Sequence, residues 1–214
     1  MKVAGIFSWE DVIGCVRYLI HNPTVQAENL HVSRSALALD PRWATALRHA
    51  LDSELKIARE NKLAFLEIGG WAIAPDYRCT RAALEVLLAS FAFAQILGGA
   101  VACCTATVRN NSASILRRIG AKSLSFDNEE LPPYEDPRFG CVMEVLRFHF
   151  ACFDPRYRKV VEDMQYRLIH RSNVIVASEK NHTDSDVVGT SSSLHALRHA
   201  LDDFQPAVTP PVNR

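Results

Sequence analysis

Two features in the middle of this sequence could take part in catalysis or binding. The first is a single carboxylate. Glu67 lies within the apolar run AFLEIGGWAIA, which begins at residue 64. Burial in such a run would raise the pKa of Glu67 and make it a workable base for an attacking ammonium group, directly or through a water molecule. The alternative is a glutamate that is ion-paired or exposed at a sheet edge.

The second group is the basic turn PDYRCTRAA at residues 75–83, which connects this run to a long apolar helix. A strand that leads directly into a helix N-terminus brings unpaired backbone N–H groups and the positive end of the helix dipole together. The sequence therefore predicts an anion site where this turn enters the helix. An ordinary basic start of a helix is the alternative interpretation.

The elements that position these residues can be predicted from apolar periodicity and from turn residues. Gly69-Gly70 favours a bulge in the strand, and Phe65 and Trp71 are expected on the same face of it, in the core or lining an acyl pocket. Strands alternate with helices through the middle of the chain, which predicts an α/β or α+β fold with a mixed sheet covered on both faces. Strands are expected at residues 31–39, 64–74, 100–108, 141–150 and 173–177, and helices at 8–20, 40–61, 81–97, 111–119 and 155–169.

Bulk properties exclude several classes of function. The 214 residues are 48% hydrophobic and carry 24 basic and 24 acidic side chains, so charge gives no reason to expect a nucleic-acid partner. No apolar run reaches the roughly 20 residues that a membrane span needs. The six cysteines lack zinc-ligand spacing, so no metal site is expected. Without an export signal at the N-terminus, the chain is expected to be cytoplasmic with reduced thiols.

The segment from Glu67 to Leu88 resembles the signature of the Gcn5-related N-acetyltransferase (GNAT) superfamily. In that signature a strand ends in V-x-P-x-Y-R, and R/Q-x-x-G-x-G/A opens a helix. The resemblance implies a mixed, mostly antiparallel sheet flanked by helices, and a loop whose N–H groups hold the pyrophosphate of coenzyme A. It implies that the N–H near Ile73 polarises the thioester carbonyl, and that Asn111 belongs to the same donor site. The matching hexad is Arg78-Cys79-Thr80-Arg81-Ala82-Ala83.

Departures from the signature favour one branch of the superfamily. Arg81 replaces the first glycine, as in relatives that take acyl groups from acyl carrier protein, such as acyl-homoserine-lactone synthases and N-acyl amino acid synthases. Leu116, or Arg117 in a register shifted by one residue, replaces the tyrosine that protonates the leaving thiolate. Residues 133–148 look like the Y-x-D-P-x-Y-G-C-x-M-E-L-L-R-F segment of N-acyl amino acid synthases.

The resemblance thus implies an N-acyltransferase that moves an acyl group from a pantetheine thioester to a small-molecule amine, with an amino acid as the expected acceptor. The donor would be acyl-coenzyme A or an acyl carrier protein, and Glu67 would be the catalytic base. The basic cluster Arg117, Arg118 and Lys122 could receive the carrier protein or the adenosine phosphate, or could be a solvated helix face. The alternatives are an acetyl-coenzyme A acetyltransferase and a non-catalytic domain that binds a thioester or a partner.

The expected organisation is one GNAT-like domain over residues 1–177, followed by a tail over residues 178–214 that is expected to be mobile. Residues 1–62 fit the family poorly, because residues 41–61 are predicted to form a helix where a β-hairpin normally precedes the signature strand. That part is therefore expected to be divergent or truncated.

Overall fold

The computed structural model describes residues 2–7, 12–150 and 154–170, with side chains described from residue 13 onwards. The predicted strand at 173–177 and the tail from residue 178 lie outside these residues. The strands are β1 Lys2–Phe7, β2 Val12–His21, β3 Ala64–Ile73, β4 Ala100–Thr107, β5 Lys122–Ser123, β6 Ser125–Phe126, β7 Glu129–Glu130, β8 Tyr134–Asp136 and β9 Cys141–His149. The α-helices are α1 Ala36–Leu39, α2 Ala44–Glu60, α3 Arg81–Ile96, α4 Ser112–Arg118 and α5 Arg158–His170, and short 3-10 helices span Ala27–Asn29, His31–Arg34, Pro75–Tyr77 and Pro155–Tyr157.

One main sheet runs through the molecule in the order β1-β2-β3-β4-β9-β5, with β8 also paired to β9. Among the strand pairs in the part of the chain that the structure describes, only β3 and β4 run parallel. Two apolar clusters cover its faces: α3, α4 and α5 contribute to one, and α1 and α2 contribute to the other. The predicted fold class, a mixed and mostly antiparallel sheet with helices on both faces, is confirmed.

The N-terminal part of the chain differs from the expectation. The helix predicted at residues 8–20 is wrong, because residues 12–21 form β2, which pairs antiparallel with both β1 and β3. Val16 and Tyr18 of β2 are buried beneath α3. A short apolar run is compatible with either a helix or a strand, and here tertiary pairing selects the strand. The helix predicted directly before the signature strand is present as α2, Ala44–Glu60, and the hairpin of β1 and β2 precedes it in the chain.

Residues 31–39 also fold differently from the prediction. Their period-two pattern predicted a strand, whereas they form the 3-10 helix His31–Arg34 and then α1. The Ser35 side chain caps α1 by accepting a hydrogen bond from the Ala38 N–H. This segment packs over the sheet as part of the cluster that includes α2.

The strand that carries the signature, β3, has the predicted bulge. Its register against β2 pairs Ala72 with Cys15 but Gly69 with Arg17, so Gly70 and Trp71 together face one residue. Gly70 adopts φ +62°, which glycine reaches without strain. The extra residue inverts the alternation of side chains beyond it. Phe65 accordingly packs in the cluster with α2 and Trp71 against the cluster with α3, and their expected common face is wrong.

Candidate functional site

The two parallel strands separate part-way along their length. Pairing of β3 with β4 extends from Ala64 opposite Ala100 to Ile68 opposite Cys104 and then stops. Beyond that point β3 continues to pair with β2, while β4 continues to pair with β9. The strands therefore form a fork, here defined as the gap between residues 69–73 of β3 and residues 105–107 of β4.

A cavity of about 660 Å³, a volume typical of small-molecule sites, lies beside the β3 side of this fork. Three parts of the chain line it, together with Tyr157 of the 3-10 helix before α5. The end of β3 contributes one wall, the turn and first residues of α3 contribute the second, and residues around α4 contribute the third. The lining residues are Trp71, Ala72, Ile73, Arg78, Cys79, Thr80, Ala83, Leu84, Asn110, Ser112, Ile115, Arg118, Ile119 and Tyr157.

The turn into α3 has the geometry of an anion site. Cys79 adopts the left-handed conformation with φ +58°, and Thr80 is the N-cap residue of α3. The Thr80 hydroxyl donates to the Tyr77 carbonyl oxygen at 2.6 Å and does not cap the helix. Arg81 occupies the first helical position, so the substitution of the signature glycine by arginine causes no backbone strain here. The first-turn N–H groups of this 16-residue helix are therefore left without a side-chain cap.

The arginines around the cavity have different partners. Arg78 and Arg118 both line it. Arg81 is held by Glu85, with Nε 2.7 Å from Oε1, and the Arg81 side chain is largely exposed. Arg117 pairs with Glu144. Arg78 and Arg118 thus supply the positive charge of the lining, while Arg81 lies in an ion pair beside it.

The backbone of Ile73 faces the fork. The Ala74 N–H donates to the Ile13 carbonyl oxygen on β2 at 2.9 Å. Since N–H groups alternate in direction along a strand, the Ile73 N–H points away from β2, towards the gap before β4. The Ile73 carbonyl oxygen accepts a hydrogen bond from Arg78 Nε at 3.4 Å. The Ile73 N–H is therefore directed into the gap between β3 and β4.

Glu67 lies two residues before the fork, on the face covered by α2, and this residue is 6% exposed. Oε2 accepts from the His31 N–H at 2.9 Å and lies 2.8 Å from His21 Nε2, while Oε1 accepts from the Val32 N–H at 2.9 Å. Burial acts to raise the pKa of Glu67, but the hydrogen bonds from His21, His31 and Val32 outweigh it. The pKa of Glu67 is consequently lowered, and the expected increase is wrong.

Several candidates from the sequence lie outside the cavity lining. The side chains of Arg81, Ala82 and Asn111 do not belong to it, although Asn111 begins α4 with φ +55° between two residues that do. Leu116 is buried in the core, and Arg117 is not among the lining residues. Neither residue that replaces the tyrosine of the signature therefore lines the cavity. Sequence reasoning missed Asn110, Ser112 and Tyr157, because their approach to the fork depends on how α4 and α5 pack.

A second cavity of about 650 Å³ lies near the end of β4. Its charged lining residues are Arg109, Glu135 and Asp136, and Asp136 is paired with Arg138 at 2.6 Å. The two cavities are neighbours, because Arg109 lines the second cavity and the next residue, Asn110, lines the first.

The part of the chain that the structure describes has no cluster of three or more residues suited to hold a metal ion. Within the same residues, no helix is long and apolar enough to cross a membrane. The cysteines described, at 15, 79, 103, 104 and 141, are all free, and burial raises the pKa of the Cys104 thiol to about 12.

Comparison with solved structures returns several acyltransferases. The coenzyme A-dependent acyl-homoserine lactone synthase BjaI is 13% identical with a TM-score of 0.44, and the match covers 77% of this chain and 63% of BjaI. FeeM, an N-acyl amino acid synthase from uncultured soil microbes, is 10% identical with a TM-score of 0.45, covering 77% and 73%. The Drosophila melanogaster polyamine N-acetyltransferase is 13% identical with a TM-score of 0.41, covering 69% and 74%.

These neighbours are GNAT-fold acyltransferases. No protein-family model matches the chain, and no curated protein matches it. The chain spans less than two thirds of the length of BjaI.

Proposed function

We propose that this chain is an N-acyltransferase that binds a pantetheine thioester at the fork and transfers its acyl group to a primary amine. The observation that carries the proposal is the juxtaposition of two features in one cavity. An uncapped helix N-terminus with Arg78 at one end suits a phosphate, and the inward-facing N–H of Ile73 suits a carbonyl oxygen.

The donor would occupy the gap between β3 and β4. Its phosphates would lie against the first turn of α3, where backbone N–H groups from residues 81–83 and the Arg78 guanidinium supply hydrogen bonds. Its pantetheine arm would extend along β3 past Ile73. Cavity volume and the mixed apolar and basic lining support this orientation.

The reaction would be a direct displacement. The amine nitrogen attacks the thioester carbonyl carbon, the C–N bond forms, and the C–S bond breaks as the thiolate leaves. The proton lost by the amine ends on the thiol, so the products are an amide and free pantetheine thiol. The Ile73 N–H would stabilise the developing oxyanion. Glu67 as the base remains a prediction, since it would have to release one of its present hydrogen bonds to take a proton.

The acceptor is proposed to be an amino acid, bound in the second cavity. Arg109 offers a cation for a carboxylate, and Glu135 offers an anion for an ammonium group. The test is the variant Arg109→Ala. It should raise KM for an amino acid without raising KM for the corresponding amine that lacks the carboxylate.

Donor binding tests the proposal in its simplest form. Isothermal titration would compare coenzyme A, acetyl-coenzyme A, a long-chain acyl-coenzyme A and an acylated carrier protein. A preference for the long-chain donor supports the synthase assignment, because each buried CH₂ contributes about 0.8 kcal/mol. Equal affinity for the acetyl donor would favour an acetyltransferase. Binding without turnover of any amine would favour a non-catalytic thioester-binding domain, and failure to bind any of these donors would contradict the proposal.

A further inference from the structure

Arg118 is the last residue of α4, and its exposed side chain lines the cavity beside β3. Within the part of the chain that the structure describes, this side chain has no ion pair and no hydrogen bond. Arg78, the other arginine of the lining, comes from the turn before α3 and donates to the Ile73 carbonyl oxygen. None of the described residues that line the cavity is acidic, so the two arginines favour an anionic ligand.

The cavity extends along the whole of α4. Ser112 and Arg118, the first and last residues of this helix, both line it. Six steps of helical rise separate their Cα atoms by about 9 Å. In the proposed function, Arg78 and the first turn of α3 already account for one anionic group, the phosphate next to the pantetheine arm. An unpaired arginine on a second element therefore indicates a second anionic group on the same ligand.

The basic cluster expected from the sequence does not form a continuous surface. Arg117 is paired with Glu144 and so is not a free cation. Lys122 lies directly opposite Arg147 on β9, and Arg147 pairs with a glutamate of α2. Because directly opposite residues of neighbouring strands share a face, Lys122 lies on the α2 face of the sheet. Arg118 lines a cavity on the α3 face, so these cations do not form one patch for an acidic carrier protein.

We infer that Arg118 binds the 3′-phosphate of the adenosine part of coenzyme A, which makes an acyl-coenzyme A the donor. This inference rests on the proposed function and selects between its two donors. Coenzyme A carries a pyrophosphate and, separately, a phosphate on its ribose. The arm of an acyl carrier protein has a single phosphodiester and no such second group. A guanidinium suits a phosphate because its N–H groups form two parallel, charge-assisted hydrogen bonds.

The test compares coenzyme A with dephospho-coenzyme A, which lacks only the 3′-phosphate. In titration calorimetry the wild type should bind coenzyme A about tenfold to hundredfold more tightly, the range expected for a hydrogen bond between charged groups. Arg118→Ala should lose this preference and bind both compounds as the wild type binds dephospho-coenzyme A. Arg78→Ala should instead weaken binding of the two compounds by the same factor, because its partner is the phosphate that they share.

Two further variants separate position from charge. Arg117→Ala removes the same charge from the neighbouring residue, which pairs with Glu144 and does not line the cavity, so the preference for coenzyme A should persist. Arg118→Lys keeps the charge and should retain part of the preference. Since Arg118 is exposed and has no partner within the described chain, Arg118→Ala should leave the melting temperature of the free protein unchanged.

The possible failures are distinguishable. If the wild type binds coenzyme A and dephospho-coenzyme A equally well, the role of Arg118 is wrong while the proposed function stands. If an acylated carrier protein is the better donor in turnover and Arg118→Ala reduces its use, the arginine serves the carrier protein and the inference is again wrong. If the wild type binds no pantetheine compound, the proposed function fails and the inference fails with it.

Discussion

Arg78 Nε donates a hydrogen bond to the carbonyl oxygen of Ile73 across a distance of 3.4 Å. An arginine of the turn into α3 that lines the cavity is thereby connected to the end of β3 that faces the gap before β4. The contact holds the guanidinium near the first turn of α3, where an anion gains most from oriented N–H groups.

Arg78→Ala should weaken coenzyme A binding by about tenfold to hundredfold, since a hydrogen bond to a charged group contributes about 1.5–3 kcal/mol. Titration calorimetry measures the change. The control is Arg48→Ala, because Arg48 lies on α2 with only a 3.7 Å ion pair to Glu28. Equal losses of coenzyme A affinity in both variants would mean that the overall charge of the protein, and not the position of Arg78, controls binding.

Arg81→Ala should weaken coenzyme A binding less than Arg78→Ala does, because Glu85 already holds the Arg81 guanidinium.

Gly70→Ala should destabilise the protein by about 1–2 kcal/mol, because a residue with a Cβ is strained at φ +62°. Urea unfolding gives the free energy. The neighbouring change Gly69→Ala is the control, since a Cβ there would meet only the end of the Arg17 side chain at 3.4 Å. If the bulge also sets the position of Trp71, Gly70→Ala should weaken donor binding and Gly69→Ala should not. Equal stability of the two variants would contradict the role assigned to the bulge.

Glu67→Gln should lower the free energy of unfolding at neutral pH by about 1–3 kcal/mol, since an amide cannot accept from both backbone N–H groups and also bind His21 as before. The folded pKa of Glu67 lies below its ordinary value of 4.5, so its charge stabilises the fold above that pH. This stabilisation is lost as the pH falls through the folded pKa. The difference between wild type and variant should therefore shrink below pH 4.5, and a difference that grows in acid would contradict the assignment.

The same variant tests Glu67 as a catalytic base. Loss of a general base should lower kcat by about 10²–10⁴-fold while donor affinity stays constant. Glu54→Gln is the matched control, because Glu54 is a buried carboxylate on the same face, paired with Arg147 and His149. A kcat close to that of the wild type would mean that Glu67 is not the catalytic base and has only a structural role, through its hydrogen bonds to the 3-10 helix.

Three turns in the chain share the sequence Asp-Pro-Arg, at residues 40–42, 136–138 and 154–156. In each, the aspartate accepts hydrogen bonds from the backbone N–H and the guanidinium of the arginine. Asp136 differs in being 1% exposed, and its pKa is lowered chiefly by the Arg138 side chain. Asp136→Ala should therefore reduce stability by about 1–2 kcal/mol, and Asp154→Ala should reduce it less. Urea unfolding of both variants checks this, and equal losses would contradict the role of burial.

The sequence was sufficient to predict the two strands that form the fork, but it did not predict the segment that covers Glu67. Residues 64–120 follow local rules: the apolar runs formed β3 and β4, and Gly98-Gly99 with φ of +81° and +113° ended α3. The conformation of residues 31–34 depends instead on a carboxylate 35 residues away, which accepts their N–H groups. Long-range hydrogen bonds of this kind leave no periodic signal in the sequence.

The pKa of Glu67 was wrongly predicted for the same reason. Burial alone raises a carboxyl pKa, and burial could be inferred from the surrounding apolar run. The groups whose hydrogen bonds lower the pKa of Glu67 lie on β2 and on the 3-10 helix His31–Arg34. The sequence predicts a helix in the region of β2 and a strand at residues 31–39, so it does not bring these groups to Glu67. The face of β3 on which Trp71 lies was wrongly predicted. A bulge reverses the alternation of side chains beyond it, and simple alternation along the strand does not include this reversal.

Acyl transfer to an amine would be detected as formation of an amide. Purified protein would be incubated with a long-chain acyl-coenzyme A and a mixture of amino acids and simple amines, and the products analysed by mass spectrometry. We expect an N-acyl product that forms in step with free thiol and is reduced in Arg78→Ala. Thioester that stays intact, or thiol release without any amide, would contradict it.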